Sequence, residues 1–548
     1  MQIIEVKKSF LNFDNKNFKL YCKGVSLVEI NPIIILSALI PLVILFFLMA
    51  GLKMNSRLAA LLALLPAAAL ALSLYGLTPA QLFNALARGA AMSLFIVLIV
   101  SGAILLYNVV EVSGGFAELK SFFLAEKEQP GFWLLLFLSW VVSAFIQGVS
   151  GFGVPVAVVG SLLVGLGYNP LLALAAVLIG HSWSISFGSM GSSFYALNLV
   201  TGLPAAALGL TAVGLFLPTI WSTGLGVAWL YGGWSQVKRS AGRIFLLGAI
   251  MSGVQALMAG LYLPHLATFA AGFIGSICCL WFWRRDIFPE TKGRKKPGRE
   301  DGLQYRDIVR SLLPYFILLV IVPAAQLPPL QKLLAGAEYG FNFSGFITNR
   351  GYQVAAAENY AAINLTGHPF LLLMLSAFFG GFFLQQTGKI NLQDWRKVFA
   401  ASWQQLKKSA FSILLLMLLA GVMNYSGMIY AFARGLAGFT GRAFPFFSPL
   451  IGVLGAFLTG SNTSSNVLFG GLQKEIARIL EVSPLLLAAA QTVGGSLGSA
   501  VAPAKIVLGT ATAGEEGSEG LLLRRCLGYT LLSAGLVGVI TGLLTLML

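Results

Sequence analysis

Phe145-Ile146-Gln147-Gly148-Val149-Ser150-Gly151-Phe152-Gly153-Val154-Pro155 lies inside an apolar stretch that opens at Phe132 and lasts to Ile185. A continuous lipid-facing helix gains nothing from three Gly and a Pro within Gly148–Pro155. Both residue types cost helix stability and free backbone polar groups. In lipid those groups must be satisfied inside the protein, by water or by a ligand. The stretch reads as a discontinuous helix or the tip of a re-entrant hairpin. The alternative is a Gly-rich helix-packing face.

A second Gly-broken stretch runs from Phe444 to about Gly509. Its centre is Thr459-Gly460-Ser461-Asn462-Thr463-Ser464-Ser465-Asn466, polar at every side chain except Gly460. The flanks Pro449–Leu458 and Val467–Leu472 are each too short to span a bilayer alone. A buried polar tip fits better than a surface loop. Ser, Thr and Asn offer neutral donors together with carbonyl and hydroxyl acceptors. With half-helix N-termini these suit a carboxylate, and with free carbonyls a Na⁺.

The two stretches resemble each other. Ala144-Phe145-Ile146-Gln147-Gly148 matches Ala456-Phe457-Leu458-Thr459-Gly460, and Asn169-Pro170-Leu171-Leu172 matches Ser483-Pro484-Leu485-Leu486, at offsets of 312 and 314 residues. The loop before the first copy, Glu111–Gly131, is expected inside the cell, and the loop before the second, Ala431–Ala443, outside. The copies then enter the membrane from opposite sides, as inverted repeats do in many secondary transporters.

Composition supports the membrane. Of 548 residues, 57% are hydrophobic and only 10% charged, against about 25% charged in soluble proteins. The expected fold is an all-α integral membrane protein of about 12 spans, each about 20 residues long. Outside the broken stretches (about 132–190 and 444–509), the candidate spans are Ile33–Gly51, Leu58–Leu77, Ala90–Val110, Ala205–Tyr231, Ile244–Tyr262, Ala267–Trp283, Leu312–Ala325, Leu371–Leu384, Ala410–Tyr430 and Cys526–Leu548. The organisation reads as a polar N-terminal segment (1–32), an N-terminal membrane half (33–283), a basic loop (284–311) and a C-terminal membrane half (312–548).

The net charge is +16. In so apolar a chain it signals cytoplasmic loops rather than nucleic acid, because Lys and Arg accumulate on that side. Arg284–Ser311 carries nine Lys/Arg against five Asp/Glu, and Gln386–Ser409 five against Asp394 alone. Gln326–His368, between them, has only Lys332 and Arg350 and reads as external. Met1–Pro32 holds Lys7, Lys8, Lys16, Lys19 and Lys23, yet falls outside in this scheme. Ile33–Gly51 is too long for a signal core and reads as a retained span. Glu111, Glu118, Glu126 and Glu128 share a loop with Lys120 and Lys127, which reads as a solvated amphipathic segment.

Cys22, Cys278, Cys279 and Cys526 make no metal-ligand spacing. No GxxxxGK[ST] or HExxH motif is present, and no nucleophile–base–metal constellation points to an enzyme. The candidate substrate-binding set is Gln147, Ser150, Gly151, Phe152, Gly153, His181, Ser182, Ser461, Asn462, Thr463, Ser464, Ser465 and Asn466. His181 is included because a membrane-embedded ionisable residue is functional by default; a packing His is the alternative. Gln491-Thr492 and Gly494–Gly498 are expected to give backbone contacts. Lys505 reads as a residue snorkelling to the inner face, or else as a ligand for an anion.

At these stretches the chain resembles the lactate permease family, within the wider ion-transporter group of inverted-repeat carriers. The residues are Phe145–Ala157, Leu163-Val164-Gly165-Leu166-Gly167 and Ser186-Phe187-Gly188-Ser189-Met190-Gly191. They continue with Asn424-Tyr425-Ser426-Gly427, Phe446-Phe447-Ser448-Pro449 and Phe457–Asn466. The resemblance implies a multi-pass plasma-membrane carrier of small 2-hydroxy monocarboxylates, lactate and glycolate, usually moving with H⁺. It also implies a site between two hairpin tips and no cofactor. The family pattern has an acidic residue where this chain has Gln147, and another at Asn462. Neither amide carries a proton, so coupling by H⁺ at these positions is in question. Na⁺ coupling, uncoupled transport or another organic anion is the alternative. Oligomeric state is left open.

Overall fold

The computed structural model describes residues 31–52, 54–125, 131–151, 153–287, 305–325, 338–364 and 368–547. Most of the polar N-terminal segment, Phe152, Glu126, Lys127, Glu128 and the centre of the basic loop lie outside these residues.

Helix starts are written locally. Pro at the first helical position loses no hydrogen bond there, and a preceding Asn, Ser or Thr caps the free N–H groups. Asn31, Asn55, Thr78, Asn169 and Ser483 each accept a backbone N–H in this way. Among the described residues, eleven helices are long and apolar enough to cross a membrane, or up to 12 with one bent pair counted as a span. The chain is thus a multi-pass helical membrane protein, as its composition requires. Large apolar side chains such as Leu36, Phe83, Trp281, Phe379 and Leu532 point outward. In water such a surface would aggregate; in lipid it is the natural exterior.

Three boundaries differ from the sequence expectation. Ala205–Gly260 is two helices that meet at Gly232 and Gly233 and lie against each other, with Trp221 Nε1 donating to Phe245 O at 3.0 Å, so the two expected spans stand and the turn falls before Lys238 and Arg239. The basic stretch Gln386–Ser409 is mostly helix: Leu392–Tyr425 is continuous from an Asn391–Asp394 capping box. The run Ala410–Tyr430 is instead interrupted at Gly427, whose φ of +89° starts a new helix, Met428–Thr440. The 34-residue helices Pro79–Val112 and Leu392–Tyr425 each measure about 50 Å. They touch backbone to backbone: a Cβ on Gly89 would lie 2.6 Å from the Met417 carbonyl oxygen.

The Gln326–His368 segment holds the departure from pure helix. Strand β1 (Glu338–Phe343) pairs antiparallel with β4 (Ala357–Asn364), and β2 (Phe346–Ile347) pairs with β3 (Gln353–Val354) inside them. Buried Arg88 anchors this unit. It donates to Ser344 O at 3.2 Å and Ala355 O at 3.1 Å, with Phe343, Tyr360 and Tyr425 rings around its guanidinium. The amphipathic loop 111–131 forms a short helix, Gly115–Ala125. Its Glu118 accepts from Ser311 and pairs with Lys389, tying three segments together.

The two broken stretches occupy the interior. An 18-residue stretch within each of Phe132–Val149 and Pro484–Ala513 is 94% buried, against 33% to 67% for the corresponding stretches of the other spans. They share an order of elements. Phe132–Val149 ends before the left-handed Gly151 and Gly153 and is followed by Val154–Gly165, Pro170–Gly180, a 3-10 turn at Ser182–Ser184 and Gly188–Thr201. Phe444–Thr459 breaks at Gly460-Ser461 and is followed by Asn462–Ile479, Pro484–Gly498, a 3-10 turn at Ser499–Val501 and Pro503–Ala513. The 12-residue helix Val154–Gly165 is about 18 Å long. That is too short for a bilayer core of about 30 Å.

Candidate functional site

The second tip is made by two residues. Gly460 ends one helix in the left-handed conformation (φ +72°), and Ser461 caps the next by accepting from Ser464 N. Asn462 is therefore the first helical residue, with its side chain aimed at the first broken stretch. Its Nδ2 donates to Ser186 Oγ at 2.8 Å and, more weakly, to Thr492 O at 3.4 Å. One turn on, Asn466 Nδ2 donates to Ser193 O at 2.9 Å and to Thr492 Oγ1 at 2.8 Å. Thr463 Oγ1 and Ser193 Oγ share a hydrogen bond of 2.8 Å. Ser465 donates to Gly452 O at 2.9 Å and accepts from Gln491 Nε2 at 3.0 Å.

The first stretch meets this tip through a second break. Ser189, Met190 and Gly191 are consecutive left-handed residues inside Gly188–Thr201. That conformation costs two L side chains about 1 kcal/mol or more each. The break lets Ser186 donate to Thr492 O at 2.9 Å, while Ser496 Oγ donates to Ser182 O at 2.6 Å. Gln147 lies against the same break: a Cβ on Gly188 would be 2.8 Å from its Nε2. Gly151 (φ +60°) faces Ser189 so closely that a Cβ would lie 1.6 Å from Oγ. Gly151→Ala is expected to cut uptake at least about tenfold while the protein still reaches the membrane. Wild-type uptake by this variant would show that the Gly151–Ser189 contact is dispensable.

The sequence-derived set divides accordingly. Asn462, Thr463 and Asn466 bridge the two stretches, and Gln147 lies at the same break. Ser465 braces its own side, and Ser461 is a cap. Ser464 is near the tip, with its backbone N–H bound to Ser461. Ser150 bonds back to Ile146 O at 2.8 Å, and Gly153 packs on Leu508. His181 Nδ1 is held by Val177 O at 2.5 Å, and Ser182 Oγ by Ile179 O at 2.8 Å. Phe152 lies outside the described residues. Ser186, Ser189, Ser193 and Ser496 were not in the set. For the first three the signal was a run of Ser through an otherwise apolar segment, at 182, 184, 186, 189, 192 and 193, while Ser496 lies within Gly494–Gly498, where only backbone contacts were expected. Thr492 works through its hydroxyl as well as its backbone. Lys505 is largely buried, at 8% exposure.

Three side-chain carbonyl oxygens in this cluster, Gln147 Oε1, Asn462 Oδ1 and Asn466 Oδ1, are buried without a donor. The two Asn cannot simply be flipped, because each Nδ2 faces a backbone carbonyl. Buried acceptors without partners are uncommon and call for an account. A ligand hydroxyl, a water or a cation has the chemistry to partner such oxygens.

Comparisons with known proteins agree with this architecture. The sequence profile of the L-lactate permease family matches residues 34–548. The glycolate permease GlcA of Escherichia coli (strain K12) is 30% identical over 92% of this chain and 94% of its own. The L-lactate permease of the same strain is 30% identical over 93% and 95%, and that of Bacillus subtilis (strain 168) 28% over 92% and 95%. Among solved structures, the Alcanivorax borkumensis YdaH transporter superposes with a TM-score of 0.52 at 14% identity, over 89% of this chain and 98% of that one. At that identity the likeness speaks for the fold alone. With a profile match from the first membrane helix to the C-terminus, the chain belongs to the L-lactate permease family, and is a carrier and not an enzyme.

Proposed function

We propose that this protein carries a small 2-hydroxy monocarboxylate, lactate first and glycolate next, across the plasma membrane by secondary transport. The site lies where Gln147 and the Ser186–Ser193 break meet Asn462–Asn466. The observation that carries the reading is the interlock of Asn462 and Asn466 with Ser186, Ser193 and Thr492, beside three unpartnered carbonyl oxygens. A 2-hydroxy acid brings one hydroxyl donor for such an oxygen and a carboxylate for the surrounding hydroxyl donors. The two stretches, taken as inverted repeats, form half-sites that open alternately to either face.

Coupling is to H⁺ in the leading reading. A second reading has its own support: neutral carbonyl and hydroxyl oxygens are the ligands hard cations prefer, so the unpartnered oxygens also suit Na⁺. Counterflow in proteoliposomes tests the substrate. Preloaded lactate is expected to drive entry of labelled lactate, and a wild-type protein that never exchanges it refutes the reading. Imposed pH and Na⁺ gradients then separate the coupling ions, since only the coupled ion drives accumulation.

A further inference from the structure

Lys505 lies on the helix that touches both tips, and nothing in the site as described uses it. It is the third residue of the helix Pro503–Ala513, which follows the break at Ser499–Val501. Its neighbours touch both tips. Ala504 Cβ is 3.6 Å from where a Cβ on Gly460 would stand, and Leu508 Cδ2 is 2.6 Å from the same point on Gly153. The side chain is more than nine-tenths buried. Among the described residues it forms no ion pair and no side-chain hydrogen bond. Its titratable neighbour is His181, at the end of Pro170–Gly180. The adjoining tips supply Gln147, Asn462 and Asn466, none of them ionisable.

A lone ammonium in such a place is costly, and removing its cost takes either a counter-anion or loss of the proton. The substrate proposed above is an anion, and the interlocked cluster offers it only neutral donors. We propose that Lys505 is the binding partner of the substrate carboxylate and carries the coupled proton. The step balances. The Nζ lone pair of the empty site takes one proton from the aqueous side as the carboxylate enters. The ammonium–carboxylate pair crosses as a neutral unit, and the carboxylate and the proton leave together on the far side. A basic group thereby does the work for which Gln147 and Asn462 are unsuited.

The inference rests on the monocarboxylate reading, and its test separates the two. Wild-type protein, Lys505→Gln and Lys505→Arg are reconstituted at matched amounts with matched melting temperatures. Lactate counterflow and pH-driven accumulation are then measured. Lys505→Gln is expected to raise the KM for lactate at least about tenfold and to abolish pH-driven accumulation. Lys505→Arg keeps a fixed charge, so it should still exchange lactate but not accumulate it; a merely structural lysine gives no such split. The unaltered protein provides a check that needs no variant: accumulation should be indifferent to an imposed membrane potential, because the transported pair is neutral. Wild-type behaviour of Lys505→Gln, or accumulation driven by membrane potential alone, overturns the assignment of Lys505. Failure of wild-type exchange instead removes the monocarboxylate reading, and this inference with it.

Discussion

Asn462→Ala reduces lactate uptake to between about a tenth and a hundredth of wild type, with the protein present in the membrane at normal levels. The side chain donates to Ser186 Oγ and Thr492 O, across 276 and 30 residues of chain. Truncation removes the hydrogen bonds that tie this tip to the first stretch, at about 0.5–1.5 kcal/mol each, while Ser186 and Thr492 keep the bond to one another. A cavity at the tip also lets the first stretch drift from the second. Uptake assays normalised to protein in the membrane decide this, and unchanged uptake moves the site elsewhere. Asn462→Asp gives a sharper readout. Its ionised carboxylate faces the Thr492 carbonyl with no donor, whereas its protonated form restores one. Its uptake should therefore rise as pH falls, beyond any rise in wild type.

Gly494→Ala is expected to be the most damaging substitution to folding. A Cβ there would lie 1.9 Å from the Pro449 carbonyl oxygen and 2.6 Å from its carbon. Both are backbone atoms, so no side chain can turn aside. The helices Phe444–Thr459 and Pro484–Gly498 would have to move apart, opening the cluster around Gln491 and Thr492. Overpacking of this kind costs about 1–3 kcal/mol, and more where the backbone is the obstacle. The melting temperature and folded yield in detergent should both fall. Gly528→Ala is the control: it has nothing within 4 Å, and Ala favours helix over Gly by about 1 kcal/mol. Equal loss in both variants would refer the effect to glycine content and not to this contact.

Much of the fold was legible because its causes are local. Apolar runs of about 20 residues, Asn-Pro and Ser-Pro starts and the Gly-Pro clusters each declare themselves within a few residues. Where reading failed, the deciding term was also weak. The pair Gly232-Gly233 turns the chain between two helices, so Lys238 and Arg239, which hydropathy assigns to a loop, lie inside the second helix. In β1, Tyr339, Phe341 and Phe343 alternate as a strand should, but six residues are a faint signal beside long helices.

The candidate site divides in the same way. That positions 145–155 and 459–466 are broken and polar-tipped follows from the sequence alone, since glycine and proline chemistry in lipid leaves few other forms. Which residues they meet does not. Asn462 to Ser186, Asn466 to Ser193 and Ser496 to Ser182 span 276, 273 and 314 residues. Such pairings depend on how closely helices approach, here through Gly180, Gly452 and Gly494, where a Cβ would strike backbone. Lys505 shows the same limit. Its position near a helix start suggested an escape to the surface, and only the packing of Pro503–Ala513 on its neighbours makes it a largely buried residue. Local backbone energetics thus determined where the chain breaks, and the close packing of the broken helices decided what the breaks enclose.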